Sequence, residues 1–358
     1  MYKIDRKSRS NCLFLTFNTI SNLLIGWSIT GSMNYARGYH TASVLTNGKV
    51  LVAGGYNSVS TYLNSAELYD LSTGMWTVTS SMNYARYYHT ASVLTNGQIL
   101  ITGGISGASS YLNNSELYDP STGVWTLTGR MNYARQQATA SVLTSGKVLV
   151  AGGYNNVGGY LTSAELYDPS TGMWTITGSM NYGRYYHTAS VLTNGQVLVT
   201  GGYNNVGGAL NTAELYDPST GSWTFVSNMN SGRYTHTASV LANGKVLVAG
   251  YSPISTAEVY NPLANIWTIA GTMYYPRSYP TASILTNGTV LLAGGVSSNI
   301  FNTVELYDPS TATWSINYNM AYPRNYHTTS VLADGRVLVT GGTNSINGYL
   351  TSSELYQS

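Results

Sequence analysis

Short apolar runs recur along the chain at a nearly fixed interval. From Met180 the sequence reads Met-Asn-Tyr-Gly-Arg184-Tyr-Tyr-His187, then Thr-Ala-Ser-Val-Leu192, Asn194-Gly195, and Val197-Leu-Val-Thr200 closed by Gly201-Gly202. After a Tyr/Asn/Gly loop come Glu214-Leu-Tyr216, an Asp-Pro-Ser-Thr-Gly turn and Trp223. Short β-branched and aromatic runs bounded by Gly, Asn, Ser and Pro read as strands. Asn-Gly between two such runs predicts a two-residue hairpin with both turn residues at positive φ. It stands at Asn47, Asn96, Asn194, Asn243 and Asn287, with Ser145-Gly146 and Asp334-Gly335 in the two other copies. A second pair of runs, such as Ser65–Tyr69 and Trp76–Thr79, brings the unit to four short antiparallel strands.

A lone four-stranded sheet of this size cannot bury both faces, so each unit must stack on its neighbours. Counting the units fixes how many stack. Trp27, Trp76, Trp125, Trp174, Trp223, Trp267 and Trp314 are each followed ten residues later by an arginine: Arg37, Arg86, Arg135, Arg184, Arg233, Arg277 and Arg324. Seven glutamates, Glu67 to Glu354, complete seven units. A Gly-Gly and a Tyr…Trp pair within four strands resembles the kelch repeat, over residues 27–358. That resemblance implies an all-β, seven-bladed propeller of the kelch and galactose-oxidase-like kind. It names an architecture and no activity. The last unit has no Trp strand after Glu354, whereas Gly26-Trp27-Ser-Ile-Thr30 is a fourth strand without a unit. Pairing the two closes the last blade with an N-terminal strand and removes an open edge; an open array with a frayed end is the alternative.

Composition changes the picture in one respect. Only 8% of residues are charged, against about 25% in an ordinary globular protein. Tyr (32) and Gly (38) fill the difference. A net charge of +2 without a Lys/Arg run gives no reason to expect attraction to nucleic acid or to a membrane. The single cysteine, Cys12, excludes an intramolecular disulfide. Asn113-Asn-Ser and Asn287-Gly-Thr have glycosylation spacing, which chance supplies in a chain this rich in Asn, Ser and Thr. Lys3, Arg6, Lys7 and Arg9 followed by Cys12–Ile25 have the outline of a secretion signal, broken by Thr16, Asn18, Thr19, Ser21 and Asn22. Residues 1–26 are read as a lead-in; they are too short and polar for a membrane span.

Spacing also locates the candidate site. Trp-to-Arg and Arg-to-Gly distances are invariant, whereas the connection from second to third strand shortens after Gly250 and Gly295. In an up-and-down blade that connection shares one end with the segment carrying the arginine, and binding tends to sit on loops over a fixed scaffold. All five histidines, His40, His89, His187, His236 and His327, follow the arginine by three residues, with Ala138 and Pro280 in the two remaining slots. Histidines spread one per blade do not converge on a metal as a zinc site requires, so local hydrogen bonding is expected and no metal or cofactor. The arginines allow two readings. Either they ring the channel mouth and clamp an acidic peptide, as the arginine at this position does in some kelch-type modules, or each pairs with a blade glutamate. Tyr88, Tyr186 and Tyr326, with many loop tyrosines and Asn/Ser/Gly between them, have the composition of a paratope. Gln136-Gln137-Ala138 and Ser278-Tyr279-Pro280 depart from the Tyr-Tyr-His pattern and are places to look for specificity.

Catalysis finds little support. The copper chemistry of galactose oxidases needs a tyrosine cross-linked to a cysteine, and Cys12 lies outside the repeats. The Asp-Pro-Ser-Thr-Gly-x-Trp turn has the wrong spacing for the Asp-box of sialidases, and no nucleophile elbow or phosphate loop occurs. The expectation is a non-catalytic propeller that binds a protein or peptide, acidic if the arginines are free. Glycan recognition is the alternative, and a propeller enzyme of unrecognised type comes third.

Overall fold

A computed structural model describes residues 26–358; the lead-in, with Cys12, lies outside the described residues except for Gly26. Every element among them is a strand. Seven four-stranded antiparallel sheets follow one another in chain order. Blade 1 is Thr41–Val44, Val50–Ala53, Ala66–Asp70 and Met75–Val78. The next five repeat that order from Thr90, Thr139, Thr188, Thr237 and Thr281. Blade 7 takes Thr328–Val331, Val337–Thr340 and Ser353–Gln357 from one end of the repeat region and Gly26–Thr30 from the other. Trp27 lies opposite Tyr356 in the pairing that joins them. The first strands of successive blades neighbour one another all the way round, Thr41–Val44 against Thr328–Val331 included, so the ring is closed.

Burial explains why the units stack. The second strand is buried at every position in all seven blades, as in Val50–Ala53 and Val197–Thr200. Apolar residues then serve both sheet faces, and the core lies in the seams. One cluster joins Leu51, Ala53 and Met82 of blade 1 to Ile99, Ile101, Tyr118 and Trp125 of blade 2. Another joins Leu332, Leu338 and Leu355 of blade 7 to Val50, Val52 and Trp76 of blade 1. Each tryptophan also reaches back one blade: the Trp76 Nε1–H donates to the Gly31 carbonyl at 3.0 Å, and Trp27 to that of Tyr318 at 2.8 Å.

The hairpin turns depart from the expected form. Gly48 sits at φ 82°, but Asn47 does not share the positive φ. The Leu45 carbonyl accepts from Gly48 N at 2.9 Å, and Asn47 Oδ1 accepts from Lys49 N at 3.1 Å. This is a turn followed by a single left-handed glycine, the longer hairpin connection, and only the glycine carries the conformational demand.

Candidate functional site

The end of the barrel that carries the variable connections is built from two parts per blade. One is the segment that crosses from the previous blade and carries the arginine. The other is the connection between second and third strands, which forms a two-stranded hairpin in blades 1, 3, 4 and 7, such as Tyr56–Asn57 with Thr61–Tyr62. Bridges such as Gly38 to Tyr56, Tyr185 to Tyr203 and Gln136 to Tyr154 tie the two parts together.

The arginines are not surface residues, which corrects their assignment as candidate ligand contacts. Arg37, Arg86, Arg135, Arg184, Arg233, Arg277 and Arg324 are at most 1% exposed, and each pairs with its own blade's glutamate at 2.6–2.9 Å. In blade 1 Arg37 donates to the carbonyls of Gly54 (2.7 Å) and Ser65 (3.0 Å) and to Glu67 (2.9 Å). Glu67 in turn accepts from the backbone N–H of Asn34 and Tyr35 at 2.7 and 3.1 Å. The pair staples the crossing segment to the blade. Most of its remaining hydrogen-bonding capacity goes to backbone and to Ser65 and Asn34, as a buried charge pair requires, with only the arginine Nε left unpartnered.

An acidic partner loses its support with them. The other charged side chains among the described residues lie elsewhere: Lys49, Lys147, Lys245, Asp334 and Arg336 at the first hairpin turns, Asp70, Asp119, Asp168, Asp217 and Asp308 at the third-to-fourth turns, and Arg130 at the outer rim. Lys49 and Asp70 pair at 3.2 Å across those two turns, at the opposite end of the barrel. Outside the buried pairs the candidate end therefore presents one charged side chain among the described residues, Arg130 beside the blade 2 connection, and none at its centre.

Its centre is a rosette. Two residues after each arginine the backbone enters the left-handed region, at Tyr39, Tyr88, Gln137, Tyr186, Thr235, Tyr279 and Tyr326, with φ between 52° and 58°. Seven non-glycine residues in this conformation are costly, and such strain clusters at functional sites. It turns the side chains toward the axis. Five phenol rings touch in a closed circuit: Tyr39 to Tyr88 (4.7 Å between centroids), Tyr88 to Tyr186 (6.1 Å), Tyr186 to Tyr279 (5.6 Å), Tyr279 to Tyr326 (4.4 Å) and Tyr326 to Tyr39 (4.0 Å). The Tyr186 hydroxyl lies 3.3 Å from that of Tyr88. Burial, reinforced by neighbouring phenols, pushes the Tyr39, Tyr88 and Tyr279 hydroxyls far above the ordinary tyrosine range, so these three stay neutral. An open hollow of about 280 Å³ lies against these rings and Gln137. Tyr88, Tyr186, Tyr326 and Gln137 thus sit together, while Gln136 lies one residue further out. Tyr39 and Tyr279 belong with them. Their signal in the sequence is the position itself, two residues after the arginine and almost always tyrosine.

The histidines lie just below, buried, and work between blades. His89 Nε2 is 3.0 Å from the Thr41 hydroxyl of the preceding blade. His187 meets Thr139, His236 meets Thr188, His327 meets Thr281 and His40 meets Thr328 in the same way, at 2.9–3.1 Å. Where Ala138 replaces histidine, the Thr90 hydroxyl is left without a partner. Burial first, then the adjacent arginine, lowers the His89, His187 and His327 imidazoles to about 3, and His40 and His236 shift the same way. They are neutral seam residues, and His40, His89, His187 and His327 also line the hollow under the rosette. Among the described residues no three His, Cys, Asp or Glu side chains converge as metal ligands.

Seven blades of four strands, a glycine pair ending six of the second strands (Gly250-Tyr251 in blade 5) and a Tyr–Trp pair between the third and fourth strands of each blade define a kelch-type propeller. A kelch-motif model matches residues 37–83 and 277–316. The model described as the Attractin/LZTR1 beta-propeller matches residues 69–259, more than half of the chain, and the chain belongs to that family. No curated protein matches it in sequence. Among solved structures it resembles a fungal alcohol oxidase of the AA5 family in complex with copper, with a TM-score of 0.75 and 19% identity over 93% of this chain and 76% of that one. At that identity the likeness establishes the fold alone.

Proposed function

We propose that this propeller is a non-catalytic binding module that recognises an uncharged polypeptide segment on the rosette end. The observation that carries the reading is the uncharged, tyrosine-floored face, made by burying every repeat arginine against its glutamate. Tyrosine supplies wide contact area at little entropic cost. An approach to the floor is provided by blades 5 and 6. Five consecutive blades, 7, 1, 2, 3 and 4, carry full-length connections, whereas those after Gly250 and Gly295 are short and no two-stranded hairpin rises over them. The test is selection from a random peptide display library against the propeller, with Tyr88→Gly/Tyr186→Gly as the counter-screen. Glycine removes the rings and relieves the left-handed backbone, so the variant keeps its fold. Uncharged sequences whose affinity drops about tenfold or more in the variant are expected. Enrichment of acidic peptides, or binding indifferent to the variant, would sink the proposal.

A neutral glycan is the second reading, favoured by one feature. Between the hairpins of blades 3 and 4 lies a groove of about 620 Å³ lined by Tyr154, Tyr160, Tyr182, Asn181 and Asn205. Glycan-array binding that survives loss of the rosette but not Tyr160→Ser would favour it over the peptide reading.

A further inference from the structure

The hairpins that wall the rosette end in side chains that nothing in the fold covers. Val59, Val157, Val206 and Ile346, one on each of four hairpins, are 89%, 93%, 92% and 80% exposed. Turn tips ordinarily carry Gly, Asn, Asp or Ser, so four β-branched aliphatic residues in one slot call for a reason. Each is held by the same device. A buried asparagine two residues earlier accepts the tip's own N–H and the next one, and donates from its amide to the neighbouring crossing segment. Asn57 accepts from Val59 N (3.0 Å) and Ser60 N (2.6 Å) and donates to the Ala36 carbonyl at 2.8 Å. Asn155, Asn204 and Asn344 repeat this set toward Ala134, Gly183 and Pro323. The brace and the large aliphatic tip occur together. Blade 2 has Ser106 and Ala108 in those slots, and the short connections of blades 5 and 6 have neither.

The four tips are therefore rigid, singly projecting apolar points. Behind them stand hairpin tyrosines, such as Tyr56 with Tyr62 (5.6 Å between centroids) and Tyr154 with Tyr160 (5.3 Å). Apart from the buried arginine–glutamate pairs, the exposed Arg130, beside the blade 2 connection, is the one charged side chain at that end among the described residues. We propose that this end docks onto an uncharged, zwitterionic lipid surface, with Val59, Val157, Val206 and Ile346 entering the apolar layer. Three features favour a fluid apolar phase over a protein socket. The points are isolated, so a protein would need a matching hole for each, whereas a bilayer needs none. Tyrosines just behind an apolar edge suit the headgroup layer, where amphipathic rings accumulate. With Arg130 as the one exposed charge at that end, and away from the four tips, little desolvation of ions opposes docking. The docking rests on residues other than those of the rosette, so it stands apart from the peptide reading.

Flotation of residues 1–358 with phosphatidylcholine vesicles tests it. Wild type is expected to float equally at low and high salt, and the quadruple variant Val59→Ser/Val157→Ser/Val206→Ser/Ile346→Ser to lose at least about tenfold in partitioning with an unchanged melting temperature. Tyr88→Gly/Tyr186→Gly is expected to float like wild type, which separates this docking from the rosette. Failure of wild type to float, flotation that requires anionic lipid and vanishes with salt, or a quadruple variant that floats as before would each overturn the proposal.

Discussion

Ala312 holds φ 56° in a turn whose counterparts are Gly74, Gly123, Gly172 and Gly221, all left-handed. A side chain with a Cβ loses about 1–2 kcal/mol there, so Ala312→Gly is expected to stabilise the protein by about 1 kcal/mol in denaturant unfolding. No change would mean that blade 6 has already absorbed the strain. The rosette carries the same conformation at seven positions with tyrosine, glutamine or threonine, and glycine appears in none of them. The turns use the left-handed region with the residue that tolerates it best; the axis uses it with residues that do not. That contrast separates scaffold from candidate site at single-residue resolution. It was hidden in the sequence because a positive φ at tyrosine has no local signature. The same is true of the tips: Asn-x-Val reads as an ordinary loop until the asparagine is seen to be buried.

At the scale of the blade, two devices hold neighbouring parts together, and both were half legible. One arginine and one glutamate per unit suggested a pair, and the pairing is realised seven times. Spacing alone left it open because a guanidinium thirty residues from a carboxylate reaches it only through strand pairing. The histidine clasps follow from the same geometry. Burial keeps these imidazoles neutral in the folded chain, down to about 3 for His89, His187 and His327, whereas an unfolded histidine protonates near 6.5. Between those values the unfolded state binds more protons, so stability is full above about pH 6.5 and falls as the pH drops from there toward about 3. The loss is up to about 1.4 kcal/mol per pH unit for each histidine. Thermal melts from pH 7 to 4 should show this decline, and His187→Gln, which keeps a donor for Thr139, should flatten it. An unchanged slope in the variant would place the pH sensitivity elsewhere.

For the molecule as a whole, the seven Trp, Arg and Glu slots set the number of blades, and the split last unit pointed to closure. The pairing of Trp27 with Tyr356 and the contact of first and last blades realise that closure in place of an open array. What the sequence obscured was the distribution of charge. Seven arginines near a channel mouth suggested a cationic face; their burial leaves an uncharged, aromatic centre, with the exposed charges other than Arg130 at the far end of the barrel. The shortened connections after Gly250 and Gly295 were visible as departures, and in the closed ring they become adjacent and open one side of the face. The central claim is that recognition here proceeds without charge. It is tested most directly by the affinity of a rosette-dependent peptide at increasing ionic strength. A Kd that stays within about twofold from 0.01 to 1 M salt is the expected result, since only charged contacts are screened over that range. A steep weakening with salt would mean that a cation reaches the ligand after all, and would contradict the account.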